Sequence, residues 1–170
     1  MADRFFADDL EVLNYALTLE HLEAEFYDMV NASGVLTGDA AAYLQVIGDH
    51  ERAHVDALTA AISDAGGTPV MARASYNFDA LGDMSTQEGI LAIANVLEPT
   101  GVAAYNGAGK EISDPAILTT AGAIVQTEAN HAAIIRVLID PEAVPAPAFE
   151  GVSSPQEILD AITPLLGPEQ

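Results

Sequence analysis

The sequence has no cysteine among its 170 residues. This absence excludes disulfide bonds, thiolate catalysis and zinc sites built from thiolates, and it is compatible with a reducing cytoplasm. No run approaches the ~18 apolar residues that a membrane-spanning helix needs. The first ten residues, MADRFFADDL, also lack the apolar block of a signal peptide. We therefore expect a cytoplasmic protein that does not enter a membrane.

Positive charge is scarce as well. The sequence contains five Lys and Arg residues and 26 Asp and Glu residues, which gives a net charge of -21. A basic surface for nucleic-acid phosphates cannot be built from so few cations, and an anionic membrane surface would repel the chain. So strong an acidic excess is typical of a halophilic protein, because salt screens its self-repulsion. An ordinary acidic protein is the alternative interpretation.

Alternating strand patterns are nearly absent, whereas helical periodicity is strong in four long segments. The expected helices cover about residues 9–30, 39–65, 85–108 and 115–140. The third helix is expected to begin with a capping box formed by Ser85 and Glu88. The connection over residues 66–84 is long and the other two are short. The sequence therefore predicts an all-α fold, a four-helix bundle with one long crossover between helices two and three.

The chain beyond the bundle has a different composition. We expect residues 1–140 to form the bundle and residues 141–170 to form a tail that docks on it. The tail begins with a Pro-rich stretch that is expected to be extended. Ser154 and Glu157 then form a second predicted capping box, which opens a short C-terminal helix with an apolar face.

Ionisable side chains interrupt the apolar stripe of each long helix. In DHERAHVDAL, residues 49–58, a Glu and a His three positions apart lie on the inward face, and QTEANHAAII, residues 126–135, repeats the pattern. Residues at i and i+3 share a helix face, so one helix can present both groups to the bundle axis. The first and third helices each add one inward Glu at mid-length. The six inward donors are Glu20, Glu51, His54, Glu98, Glu128 and His131.

Four buried carboxylates need a positive partner, because unpaired buried charges are very costly and like charges repel. The few basic residues lie off these stripes, so metal ions are the natural partner. Four carboxylates and two imidazoles can hold two divalent ions, and carboxylate-rich sites with one nitrogen per ion suit iron or manganese. The alternative is that these groups form ordinary surface salt bridges.

The two halves of the chain match each other. LEHLEAEFY, residues 19–27, aligns with LEPTGVAAY, residues 97–105, which pairs Glu20 with Glu98 and Tyr27 with Tyr105. This match indicates a duplicated helical hairpin with the site on its pseudo-twofold axis.

These motifs resemble those of the ferritin-like superfamily of di-iron and di-manganese carboxylate proteins. ALTLEHLEAEFYD, GDHERAHVDAL and LEPTGVAAYNGA are similar, more narrowly, to the family that includes plant desiccation-related proteins. The resemblance covers roughly residues 8–140 and extends to FEGVSSPQEILDAITPLL. It implies two metal ions, iron more readily than manganese. It also implies the ligand roles: terminal glutamates at Glu20 and Glu98, bridging glutamates at Glu51 and Glu128, and one histidine per ion at His54 and His131.

Several residues lie close to these positions. His21 and His50 lie beside the stripes and are expected to be polar neighbours rather than ligands. Glu23 lies about 60° from Glu20 around the helix axis and is an alternative ligand. Tyr27 and Tyr105 are expected to pack in the core, with hydroxyl groups that can hydrogen-bond to the ligands.

Two backbone features accompany Glu98. Pro99 removes one helix hydrogen bond, so we expect a kink or bulge beside the ligand. Gly101 is expected to let two helices approach closely.

Three functions are compatible with this reading. The first is a ferroxidase or peroxide-handling protein that reacts Fe(II) with dioxygen or peroxide during oxidative or desiccation stress. The second is a manganese catalase-like enzyme, and the third is a stress-associated bundle in which metal only stabilises the fold. A homodimer is compatible with the sequence. We do not expect a storage cage, because densely negative subunits resist close assembly except at high salt.

Overall fold

The computed structural model describes residues 4–143, 148 and 150–169, and these form five α-helices. No β-strand occurs within these ranges, which confirms the all-α prediction. Short 3-10 turns follow α3 and α5, and another lies in the crossover. The helices are α1 (Asp9–Ala32), α2 (Gly38–Asp64), α3 (Gln87–Ala108), α4 (Pro115–Ile139) and α5 (Pro155–Ile162).

The four long helices form two hairpins. α1 packs along α2 and α3 packs along α4, while α1–α3 and α2–α4 contacts join the hairpins. The long crossover between α2 and α3 is confirmed, and it contributes Phe78 to the core. Phe78 is 1% exposed, and its ring centroid lies 5.3 Å from that of Phe26 on α1. The crossover is therefore anchored to the bundle by apolar packing.

The start of α3 differs from the prediction. Thr86 is the N-cap, and its hydroxyl accepts a hydrogen bond of 3.1 Å from the backbone N–H of Gly89. Ser85 instead donates its own N–H to Asp83 over 2.8 Å. The predicted capping box of Ser85 with Glu88 is therefore wrong, because Ser85 belongs to the turn that precedes the helix.

The C-terminal helix packs against the bundle. The capping box of Ser154 and Glu157 is confirmed at the start of α5. α5 contacts α3, and Ile158 and Ile162 are buried in the same apolar core as α1 and α3. The predicted extended stretch falls partly on residues 144–147 and 149, which lie outside the described residues. The domain division after residue 140 stays a prediction.

α3 continues as an α-helix through Pro99, with no π or 3-10 residue between its ends. No bulge is therefore formed beside Glu98, and the alternative that was predicted, a kink at Pro99, stays a prediction. Throughout the described ranges, no helix combines the length and apolar character needed to cross a bilayer.

Candidate metal centre

The bundle brings the six predicted donors together in its interior. Each lies near the middle of a long helix, on the stripe that faces the axis. The four glutamates are 0% exposed, the side chain of His131 is 1% exposed, and that of His54 is 11% exposed. Helical periodicity accounts for these locations. Each ionisable residue occupies a position of the inward stripe whose other positions are apolar.

The donor atoms fall into two groups that share two residues. Glu51 and Glu128 join Glu20 and His54 in one group, and they join Glu98 and His131 in the other. Within each group, one donor atom per residue lies within 4.8 Å of every other. Ligands that bridge two metal ions would be shared by two groups in this way. The assignment of the six residues as metal ligands stays a prediction.

His54 presents its Nδ1 atom to the first group. This nitrogen lies 2.9 Å from Oε1 of Glu128. It also lies 3.2 Å from Oε2 of Glu20 and 3.2 Å from Oε2 of Glu51. One imidazole nitrogen thus faces three carboxylates, each from a different helix.

His131 has the corresponding position in the second group. Its Nδ1 atom lies 2.8 Å from Oε1 of Glu51, 3.4 Å from Oε2 of Glu98 and 3.9 Å from Oε2 of Glu128. The two oxygens of Glu128 therefore face different imidazoles, as do those of Glu51. This division follows the pseudo-twofold relation between the halves of the chain.

Several atoms of the cluster are buried without a hydrogen-bond partner. Within the described part of the chain, they are Oε1 of Glu51, Oε2 of Glu98, both carboxylate oxygens of Glu128, and Nδ1 of His131. A buried polar atom without a partner costs about 1–3 kcal/mol. His131 Nδ1 and Glu51 Oε1 are close, yet they are not aligned as a hydrogen bond. Divalent cations would satisfy all of these atoms, and the donor set of oxygens with one nitrogen per group fits iron or manganese.

Arginine does not neutralise the cluster. Arg52 pairs with Asp28 and Asp49 at the surface, and Arg136 pairs with Glu150 over 3.1 Å. The strongest electrostatic influences on the buried glutamates come from one another and from the two imidazoles. The positive charge that this site needs is therefore only partly supplied by the protein.

The pKa values of the cluster express this imbalance. Burial raises the pKa of Glu98 to about 8 and that of Glu20 well above its usual range. Burial opposes a charge on His54 and His131 too, but the closely placed carboxylates of Glu128 and the other glutamates outweigh it and raise both pKa values to about 12. Without metal, the folded protein must therefore keep protons in the cluster, and bound cations would displace them.

Two buried tyrosines hold the two unshared glutamates. The hydroxyl of Tyr27 on α1 donates to Oε1 of Glu98 on α3, and the hydroxyl of Tyr105 on α3 donates to Oε1 of Glu20 on α1. Each hydrogen bond thus joins the two hairpins, and the pair repeats the twofold relation of the sequence. The tyrosines thus fix the orientation of the two glutamates that belong to a single group of donors.

Glu23 also faces the cluster, although it belongs to neither group of donors. It is 3% exposed, and burial together with the charge of Glu128 raises its pKa well above its usual range. A Cβ atom on Gly101 would lie 3.0 Å from Oε1 of Glu23 and 3.5 Å from Oε2 of Glu128. Gly101 therefore leaves room for two carboxylates, and its expected role in close helix approach stays a prediction.

The remaining histidines have different surroundings. His21 contacts the crossover, with Nε2 3.2 Å from the carbonyl oxygen of Val70. Nδ1 of the exposed His50 lies 2.9 Å from Nε2 of His131, and the two rings stack. Sequence reasoning did not find this contact. The available signal was the spacing of His50 and His54 by one helical turn, which places both on the same side of α2.

These features define a class of protein. A four-helix bundle with one long crossover, whose helices direct glutamates and histidines to a common buried centre, is a ferritin-like bundle. A family model described as a ferritin-like domain matches residues 8–141, and the chain belongs to this family. The narrower resemblance to desiccation-related proteins stays a prediction.

Solved structures of the same fold are distant in sequence. A conserved hypothetical protein from Mycobacterium tuberculosis superposes with a TM-score of 0.69 at 19% identity, covering 76% of this chain and 96% of that one. A hypothetical protein from Methanococcus jannaschii superposes with a TM-score of 0.70 at 12% identity, covering 96% and 97%. No protein with a curated description is detectably similar to this chain. At these identities the structural likeness concerns the fold alone.

Proposed function

We propose that the protein binds two divalent metal ions, iron in preference to manganese, and reacts them with dioxygen or peroxide. The observation that carries this proposal is the set of buried donor atoms without partners, arranged in two groups that share Glu51 and Glu128. A ferroxidase or peroxide-handling role in the cytoplasm, during oxidative or desiccation stress, belongs to the same proposal. The resemblance of the sequence motifs supports that part.

Two iron ions held at the shared site would supply the two electrons that reduce peroxide to water or dioxygen to peroxide. The residues of this chain position the ions and control access. Tyr27 and Tyr105 hold the unshared carboxylates by hydrogen bonds, so these oxygens stay oriented toward the centre. The glutamates are fully buried and His54 is the most exposed of the six donors. Bulk water is therefore excluded, and a small oxidant would approach past His54 from the α2 side.

The test combines metal analysis with an oxidation assay. Protein purified without chelator is analysed for iron and manganese, and metal-free protein is then mixed with Fe(II) in air. We expect about two ions per chain and an Fe(II) oxidation rate above that of buffer. The double variant Glu51→Ala/Glu128→Ala, which loses both shared carboxylates, should lose both properties. Absence of bound metal and of accelerated oxidation in the unaltered protein would reject the proposal.

The donor set also suits manganese, and this supports a catalase-like enzyme as the second candidate function. Each group provides three carboxylates and a single imidazole nitrogen, with no softer ligand that would favour copper or zinc. Oxygen evolution from peroxide by manganese-loaded but not iron-loaded protein would favour this candidate. Absence of oxygen evolution with either metal would exclude it.

A further inference from the structure

One inward position breaks the symmetry between the two halves of the chain. The alignment of LEHLEAEFY with LEPTGVAAY pairs Glu23 on α1 with Gly101 on α3. Glu23 lies three residues after Glu20, and Gly101 lies three residues after Glu98. The glutamate and the tyrosine that flank this position are the same in both halves, so the pair is a specific difference in what each half presents to the centre.

The two unlike residues meet in the fold. The two oxygens of Glu23 lie 3.0 and 3.3 Å from the point that a Cβ atom on Gly101 would occupy, and Oε2 of Glu128 lies 3.5 Å from it. The carboxylate of Glu23 therefore fills the space that a side chain at position 101 would require. The glycine in one half accommodates the extra acid of the other.

Glu23 is buried without a neutralising partner. It is 3% exposed, and it makes no hydrogen bond or ion pair with any other residue in the described part of the chain. The charges that act on it are those of four other glutamates, with Glu128 first and Glu98 second. Burial of an unpaired carboxylate among like charges is costly, and a shared cation is the partner that removes the cost.

The contacts also show which group Glu23 adjoins. Oε2 of Glu128, the oxygen beside Gly101, is the one that faces His131 at 3.9 Å. The other oxygen of Glu128 faces His54 at 2.9 Å. Glu23 therefore lies on the side of the centre that contains Glu98 and His131.

We propose that Glu23 is a seventh ligand of the centre and binds the metal ion held by Glu98 and His131. This inference rests on the proposed two-metal function. It gives that position four carboxylates and one imidazole, whereas the position of Glu20 and His54 has three carboxylates and one imidazole. The two metal positions are then chemically unequal, and the more negative one binds a divalent cation more tightly.

The test is a titration of metal-free protein with Mn(II). Binding is measured by calorimetry and, independently, by electron paramagnetic resonance, which detects the ion that stays free. We expect two ions with unequal affinities. Glu23→Gln, which keeps the size of the side chain, should weaken the tighter affinity by at least about tenfold, the range seen when supporting groups of metal sites are lost. Gly101→Ala should weaken the same affinity without removing an acid, because its Cβ atom displaces the carboxylate of Glu23.

Glu25→Gln is the matched control. It removes the same charge from the same helix at an exposed position, so both affinities should be unchanged. A double-variant cycle shows which of the two metal positions Glu23 acts on. Glu23→Gln should be non-additive with His131→Ala and additive with His54→Ala, since coupling is expected only between ligands of one ion.

The outcomes separate the two proposals. Two ions in the unaltered protein, with unchanged or equally weakened binding in Glu23→Gln, would overturn the role of Glu23 and leave the proposed function standing. Binding of no ions by the unaltered protein would overturn the proposed function, and the ligand role of Glu23 with it. Selective loss of the tighter affinity would support both.

Discussion

Removal of the metal ions should destabilise the protein by a large and measurable amount. The cause is the cluster of buried glutamates and imidazoles, several atoms of which have no hydrogen-bond partner and would be satisfied by a cation. Metal would bind only the folded state, since only folding brings the four helices together. Bound ions would therefore stabilise the protein by mass action.

The magnitude follows from the two groups of donors. One ion at a free concentration 100 times its dissociation constant contributes about 2.7 kcal/mol, so two independent ions contribute about 5.4 kcal/mol. For a protein of this size, each kcal/mol changes the melting temperature by about 2–4 °C. We therefore expect the melting temperature to rise by roughly 10–20 °C when metal-free protein is saturated.

The assay is thermal unfolding followed by circular dichroism, with and without Fe(II) under nitrogen or Mn(II) in air. The double variant Glu51→Gln/Glu128→Gln is the matched control. It should show no increase with metal, because both carboxylates that the two groups share have been replaced by neutral amides. An unaltered protein whose melting temperature is independent of metal would refute the reasoning.

Three further predictions follow from the structure. Tyr27→Phe removes the donor to Glu98, so the unfolding free energy of the metal-loaded protein in urea should fall by about 1–3 kcal/mol. In metal-free protein the pKa values of Glu98, about 8, and His131, about 12, lie above their usual values. The folded state then binds more protons than the unfolded state, so stability falls as pH rises from about 5 to 8, and thermal scans should show a growing difference between metal-loaded and metal-free protein. Gly107→Ala places a Cβ atom against the carbonyl of Ser153, and chemical unfolding should show a loss of about 1–3 kcal/mol.

Each of these predictions has a control. Tyr15→Phe removes a buried hydroxyl without a partner, so it should be neutral or stabilising, and an equal loss in both tyrosine variants would contradict the role of Tyr27. A pH-independent difference between metal-loaded and metal-free melting would contradict the proton argument. Gly122→Ala, at an open helix position, should stabilise by about 0.5–1 kcal/mol. A similar gain in Gly107→Ala would show that the contact with Ser153 is absent.

The helices and the inward donors could be predicted from sequence because they depend on periodicity. Glu51 and His54 occupy positions that the apolar stripe of α2 reserves for the core, and Glu128 and His131 do the same in α4. The match between the two halves of the chain also showed which helices are equivalent. Each of these signals is local or repeats at fixed spacing, so a single sequence contains it.

What the sequence could not predict concerns contacts between segments. Ser85 and Thr86 are both good N-caps, and only the turn made with Asp83 decides between them. The role of Gly101 depends on which side chain of a facing helix fills the space beside it, and that residue, Glu23, is 78 positions away in the chain. Helical spacing places a residue on a face, but it does not reveal what the opposite face presents.

Anomalous scattering from crystals of protein grown and purified without chelator tests the central claim most directly. Data collected at the iron and manganese absorption edges should give two peaks, one beside His54 and one beside His131, each within bonding distance of carboxylates from Glu51 and Glu128. An interior with no anomalous peak, or with peaks only at surface acids, would contradict a dinuclear metal centre in this bundle.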